Sequence, residues 1–466
     1  MQKRVFAKSI LALAVLGCSL GLQAKDKSIT VVTSFPKDLT AIYKAAFEKK
    51  FPGTKVEILN KSTSSGVKYL QEIKGKNTAD IFWASAPDAF EVLKGDQLLQ
   101  RYVSKATGIS PRVGAYPTSD PQGYYTGFAA SGYGIMWNTR YIEAKKLPVA
   151  KEWSDLKDPI YYGHVGISSP SRSGTTHLTI ETVLQGLGWE RGWAEWKEIS
   201  GNLKTVTERS FGVPDGVNSG QFGYGIVIDF FGLSSKASGF PVDFVYPQVT
   251  AVVPANVGIV ANAPNAKLAQ QFVDYLLSAE GQELLLDPKI RRLPVRGDTY
   301  AKAPAGYPNP LTDPTIGSAV KFDLQVSKSR YNVVSALFDV MITYRLDELR
   351  AAVRAIQLAD QALVKNPNAE AQKLVAEARR LVFHVPVTAE MASKKEFNSI
   401  FTAKRKKASD KAQGRQAEIE QQWDKTIKEN YTKRHYSLVR LMLMIHTWKY
   451  ILVQVVRKVK IGQVCY

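Results

Sequence analysis

Cysteine is almost absent from this chain, with two residues in 466. That excludes a disulfide framework and a cysteine-rich metal site. Histidine is nearly as scarce, at five, and no His-Glu-x-x-His or other paired spacing offers a zinc site. No serine stands in a Gly-x-Ser-x-Gly elbow, so the usual mark of a hydrolase nucleophile is missing. Uninterrupted apolar runs are short of the ~20 residues that a membrane-spanning helix requires. Acidic residues are also in deficit, 42 against 62 Lys and Arg, for a net charge of +20. The excess is uneven. Residues 391–466 hold 17 Lys and Arg against 6 Asp and Glu. The remaining body is only moderately basic, which suits an anionic small ligand or an anionic membrane surface better than nucleic acid.

What remains is an ordinary globular mixture, 45% hydrophobic and 22% charged, in a chain long enough for more than one lobe. The first residues are a separate text. Lys3, Arg4 and Lys8 precede an apolar run at Ile10–Leu20. Gly21-Leu22-Gln23-Ala24 then gives a small-residue exit before Lys25. This order describes a secretory signal peptide over residues 1–24 and an exported, periplasmic protein. Val15-Leu16-Gly17-Cys18 is also similar to a lipoprotein processing site, which would leave Cys18 lipidated. Both processing routes are consistent with the residues.

From Ser28 the chain alternates short β-branched runs with amphipathic ones. Strands are expected at Ser28–Thr33, Lys55–Leu59 and Ala79–Ala84, with helices at Leu39–Lys50 and Val67–Ile73. This rhythm predicts a parallel sheet flanked by helices. The Gly- and Tyr-rich stretch Gly123–Asn138 reads as an extended crossover to a second α/β lobe. There, strands are expected at His164–Ser168, Lys204–Thr207, Gly225–Ile228 and Val242–Tyr246, with a helix at Thr176–Leu187. Asn256–Ala261 reads as the return strand, followed by helices at Ala266–Leu277 and Ala279–Leu286. Beyond Asp323 the pattern is helical, with one apolar stripe at Val334, Leu337, Phe338 and Met341. Lys404–Trp423 reads as a charged, solvated helix. His435–Val456 is apolar but interrupted by Arg440, His446 and Lys449, which argues against a membrane span.

The stretch SSPSRSGTTH, residues 168–177, gathers six hydroxyls, one arginine and a glycine between an expected strand and helix. In an open α/β sheet, ligands sit where strands end and helices begin. Free backbone N–H groups there favour an anion. Ser171, Ser173 and Thr175 supply hydroxyls, and Arg172 supplies a forked donor suited to phosphate or carboxylate. An ordinary N-cap accounts for the same residues equally well. Four other junctions share this grammar: Ser34 after the first strand, Ser64 and Ser65 after the second, Ser85 after the third, and Arg209-Ser210 in the second lobe. Five such junctions divided between two lobes suggest one hydroxyl-lined, basic cleft. Asp229 and Tyr246 are further candidates, for ligand hydroxyls.

With these pieces in place, the chain resembles the type 2 periplasmic substrate-binding proteins of ABC transporters. The block Ile167–Gly220 carries the more specific likeness, to the phosphoglycerate transport regulatory family. Phe272–Pro288 and Arg415–Lys425 fit the same group. The resemblance implies a two-lobe α/β fold with two crossover strands as hinge, near Phe128–Met136 and Asn256–Ala261. The expected layout is lobe 1 over 25–126 and 256–320, lobe 2 over 127–255, helices over 321–432, and an atypical tail over 433–466. It also implies capture of a small anionic, phosphoglycerate-like metabolite and its presentation to an inner-membrane ABC permease or a sensor kinase. The protein is then a monomeric binder, without cofactor, catalytic activity or nucleic-acid partner. Ferric binders of this group use an adjacent tyrosine pair where this chain has Phe230-Phe231, and phenylalanine provides no phenolate for ferric ion. A ferric-ion binder, and an exported phosphatase using His177, are the alternatives.

Overall fold

A computed structural model describes residues 27–114, 116–317, 319–402 and 413–444, with side chains up to Thr432. The signal-peptide and Cys18 readings, and most of the 433–466 tail, lie outside the described residues. Among the described residues, no helix is long and apolar enough to cross a membrane.

The chain opens with β1 (Lys27–Thr33), α1 (Lys37–Lys50), β2 (Thr54–Asn60), α2 (Thr63–Glu72), β3 (Ile81–Ala84) and α3 (Pro87–Gly95). Successive strand residues face opposite sides of a sheet. Accordingly Ile29 and Val31 of β1 join Ile81 and Trp83 of β3 in one core, while Val32 joins Phe82 and Ala84 in another. All are buried. A sheet buried on both faces needs helices on both, the usual setting of parallel strands. Strands β2 and β3 both pair with β1 in parallel. Helix α2 starts four residues before the expected Val67, because Ser62 caps it by accepting the Ser65 N–H.

Strand β4 (Thr126–Asn138) is thirteen residues long and buried throughout. After it come β5 (Val165–Ser168), α4 (Gly174–Leu187), α5 (Trp189–Ser200), β6 (Leu203–Thr207), α6 (Gly212–Asn218), β7 (Tyr224–Ile228), α7 (Asp229–Ala237) and β8 (Val242–Val245). The return elements are β9 (Val252–Val260) and α8 (Ala266–Leu277). The strand order is β2-β1-β3-β9-β4-β7-β5-β6, with β8 also beside β4. Strand β4 belongs to both halves. Its Thr126–Gly132 stretch pairs with β9, and its Tyr133–Trp137 stretch pairs with β7. The partner changes at Gly132–Tyr133, the first passage between the lobes. At Gly134 a Cβ would stand 2.1 Å from the Val245 carbonyl, so only glycine lets β8 lie this close.

The second passage differs from expectation. Strand β9 starts at Val252, and Asn256 already pairs with Ala84 of β3, well inside the first sheet. The crossover therefore falls at residues 246–251, upstream of Asn256–Ala261. Pro254, which breaks the sequence pattern of a strand, sits within β9 opposite Ala130.

The last helices are α9 (Leu324–Ser329), α10 (Tyr331–Met341), α11 (Leu346–Lys365), α12 (Ala369–Val382) and α13 (Gly414–Met444). They share a core with lobe 2. Val334, Leu337 and Phe338 pack in the same cluster as Ile180, Val183 and Trp196. The charged 404–423 segment is not a solvated helix where it is described. Ile419, Trp423, Ile427 and Tyr431 of α13 are buried. They recur every fourth residue, a stripe one residue wide and easily hidden among charges. Trp423 stacks on Phe401 at 5.0 Å. Residues 403–412 lie outside the description.

Candidate functional site

Between the lobes lies a narrow cleft, lined by Ser34, Phe35, Ser62, Thr63, Ser85, Arg172, Ser173, Thr175, Arg209, Ser210, Phe230 and Arg292, among others. A larger groove opens elsewhere, between α3, residues 116–125 and α9, and contains none of the expected residues. The cleft is the better candidate on chemistry. Its walls are the starts of α1, α2, α3, α4, α6 and α7. Each helix start carries unsatisfied N–H groups and roughly half a positive charge. Three guanidinium groups add to that field. Among the described lining residues there is no carboxylate, imidazole or phenol.

The local sequence explains this convergence. Each junction is a strand end followed within a few residues by a helix start, with small polar residues at most of them. Ser173 caps α4 by accepting the Thr176 N–H at 3.1 Å. Thr63 donates its hydroxyl to Ser34 Oγ at 3.1 Å, joining two of the lobe 1 junctions. Ser173 is therefore a helix cap that also lines the cleft.

The arginines lie at different depths. The Arg172 guanidinium is 3.2 Å from Glu208, whose side chain is 81% exposed, which puts that pair at the rim. Arg209 donates across the cleft to Asn60 Oδ1 at 3.1 Å. Burial holds its guanidinium below the ordinary arginine range. Arg292 is wholly buried. It lies 3.6 Å from the Phe230 ring and 4.4 Å from the Phe35 ring, and donates to Ser85 Oγ at 2.8 Å. Burial pulls it down to about 9, against the opposing effect of Asp229.

Several expected residues stand elsewhere. Ser64 donates to the Ser171 carbonyl at 2.6 Å, a bond between the lobes beside the cleft. Ser171 Oγ turns to Ser169, and Ser65 Oγ to Ser62. Asp229 is wholly buried beneath the lining. It accepts the Gly132 N–H and the Tyr246 hydroxyl at 2.8 and 2.9 Å, so both side chains serve the crossover rather than the cleft surface. Burial pushes the Asp229 carboxyl up to about 6. His177 is also outside the cleft. It is fully buried, with Nδ1 2.7 Å from Asp88 Oδ2, and its ring lies against Tyr331. Ser327 donates to the same carboxylate oxygen at 2.9 Å, so lobe 1, lobe 2 and α9 meet at Asp88.

Sequence reasoning missed Ser62, Thr63 and Arg292. The first two lie next to residues that were singled out and were legible from the α2 start. Arg292 had no such signal, being one of two arginines between Ile290 and Leu293.

Residues 76–316 match the family described as bacterial extracellular solute-binding protein. The phosphoglycerate transport regulatory protein PgtC of Salmonella typhimurium is 31% identical over 370 residues, covering 79% of this chain and 88% of that protein. The chain belongs to the bacterial extracellular solute-binding proteins. Solved structures agree on the fold. The periplasmic binding protein AfuA of Actinobacillus pleuropneumoniae, with bound fructose 6-phosphate, superposes with a TM-score of 0.61 at 20% identity. The match covers 67% of this chain and 98% of that one. The apo ferric ion-binding protein A of Pasteurella haemolytica gives 0.53 at 18% identity, over 67% and 97%. Family membership makes this chain a two-lobe solute binder of transporter type, working outside the cytoplasm with a small molecule and a membrane transporter or regulator. In these binding proteins the cleft between lobes is where a ligand is sought, and here that cleft is cationic and rich in hydroxyls.

Proposed function

We propose that this protein captures an anionic, phosphorylated small metabolite in the interlobe cleft, with a three-carbon, phosphoglycerate-like acid as the first choice. The observation that carries the reading is the lining: helix starts, hydroxyls and three guanidinium groups, with no anionic side chain among the described lining residues. Such a set complements phosphate oxygens and repels cations. The name of the Salmonella relative supports the same ligand class. Ferric ion needs hard anionic ligands, and the place where tyrosinates would stand presents Phe230 and Phe231. A phosphatase using His177 finds no support, because that imidazole is buried away from the cleft.

Capture draws the lobes together about Gly132–Tyr133 and residues 246–251, and a membrane permease or sensor kinase reads the closed form of the monomer. The test is calorimetry with 2- and 3-phosphoglycerate, hexose phosphates, inorganic phosphate and ferric citrate. A phosphorylated acid binds, and Arg172→Ala weakens it by about 10- to 100-fold, as expected for a lost charge-assisted contact. Binding of ferric citrate alone removes this reading, and affinity untouched by Arg172→Ala removes Arg172 from the site.

A further inference from the structure

The cleft contains one guanidinium with an edge to spare. The Arg292 guanidinium lies 3.6 Å from the Phe230 ring centre and 4.4 Å from that of Phe35. Its Nη1 donates to Ser85 Oγ at 2.8 Å and lies 3.4 Å from Ser131 Oγ. The Nε and Nη2 atoms are also buried, and among the described residues neither has a hydrogen-bond partner. The nearby Asp229 does not fill them. Its oxygens accept from the Gly132 and Phe230 N–H groups and the Tyr246 hydroxyl.

The N–H groups on Nε and Nη2 run parallel along one edge of the guanidinium, and this edge holds a carboxylate through two hydrogen bonds. The same chain shows what fills it. Arg330 grips Glu181 through Nε and Nη2 at 2.8 and 2.8 Å. Arg345 grips Asp424 in the same way at 3.0 and 2.6 Å, and Arg380 grips Glu377 at 2.7 and 2.8 Å. In Arg292 that edge has no acceptor among the described residues. Two neighbouring rings and the Nη1 bond to Ser85 hold the guanidinium in place. Two unmet charged donors in a buried place are costly unless an anion arrives.

Depth separates this edge from the other cations. Arg292 is wholly buried on the floor, next to the β4 crossover. Arg172 meets an exposed partner at the rim, beside the start of the fourteen-residue α4. We propose that the ligand carries two anionic groups: a carboxylate seated on the Nε/Nη2 edge of Arg292, and a phosphate at the α4 start beside Arg172. The proposal rests on the phosphorylated-anion reading above. It narrows that reading to phosphorylated carboxylic acids and makes Arg292 the residue that separates them from phosphorylated alcohols and sugars.

The experiment compares 3-phosphoglycerate with glycerol 3-phosphate, which has a hydroxymethyl group in place of the carboxylate, by calorimetry on the full chain. A site built for a buried polar group rejects the analogue that lacks it. The native protein is expected to prefer the acid by about 100-fold or more. Arg292→Lys, which keeps the charge and loses the fork, collapses that ratio towards one. Arg172→Ala weakens both ligands and preserves the ratio. Equal affinity of the native protein for the two phosphates overturns the inference and leaves the anion reading standing. That comparison needs no variant, so poor folding of Arg292→Lys does not decide it. Binding of neither phosphate overturns this inference, and the anion reading falls with it when 2-phosphoglycerate, hexose phosphates and inorganic phosphate fail to bind as well.

Discussion

Gly174 offers a way to hold the lobes apart with a single methyl group. It is the first residue of α4, and a Cβ placed there would meet Ala86 Cβ at 2.7 Å and Thr63 Cγ2 and Oγ1 at 2.8 and 2.9 Å. All three atoms belong to lobe 1. The Ala86 methyl is fixed to its backbone and cannot turn aside, so Gly174→Ala forces the lobes to separate or α4 to shift. Overpacking of this kind costs about 1–3 kcal/mol. The helix itself tolerates the change, since Gly174 is its first residue and does not have a positive φ. The penalty therefore falls on the closed arrangement and not on the folding of lobe 2. A penalty of about 2 kcal/mol on closure weakens ligand binding roughly 30-fold. Calorimetry with 3-phosphoglycerate gives the affinity, and small-angle scattering with and without ligand gives the closure. The expected result is a matching loss of affinity and of ligand-induced compaction, with thermal stability of the free protein retained. Unchanged affinity and compaction would refute the reasoning, because the lobe contact at Gly174 would then be irrelevant to capture.

The other expected outcomes concern buried ionisable groups and the arginines. Lys197 is fully buried, donates to the carbonyls of Val382 and His384, and is pulled down to about 7 by burial. Its unfolded form stays protonated to about pH 10.4. Between pH 7 and 9 the unfolded chain thus binds more protons at this site, and stability rises with pH by about 2 kcal/mol. Urea melts across that range should show this slope, and Lys197→Met should remove it. Asp229 shifts in the opposite sense for an acid. Its carboxyl is raised to about 6, so its contribution is full below about pH 4 and is lost as pH rises through 6. Asp229→Asn should flatten that part of the stability profile. His177→Ala leaves Asp88 buried and short of one partner, and a loss of about 3–5 kcal/mol in chemical denaturation is expected. The same variant should leave any phosphate-ester turnover of the preparation unchanged, because His177 is not in the cleft.

Much of the site was legible because strand–helix junctions carry their own chemistry. Ser34, Ser85, Arg172, Ser173, Thr175, Arg209 and Ser210 were singled out by position alone and line the cleft. Ser64 and Ser65 were misplaced for a local reason. Ser62 caps α2, so these two serines fall in its first turn and are directed by helical geometry. Asp229 and Tyr246 were drawn in by charge and hydroxyl, yet they bond to each other and to Gly132 below the surface.

Short-range physics is what the amino-acid order settled by itself. The alternation of Ile29, Val31 and Val32 and the cap at Ser173 depend on neighbours a few residues away. They determined the two α/β lobes and the kind of loop that joins strand to helix. Only the tertiary structure decided which side chains meet over long separations. Arg292 reaches Ser85 across 207 positions, and His177 reaches Asp88 across 89. Nothing in the text around Arg292 distinguishes it from its neighbour Arg291. What sets it apart is its place beside the β4 crossover and against the rings of Phe230 and Phe35. Those contacts depend on how the whole sheet curls, and so no local pattern could have encoded them in view.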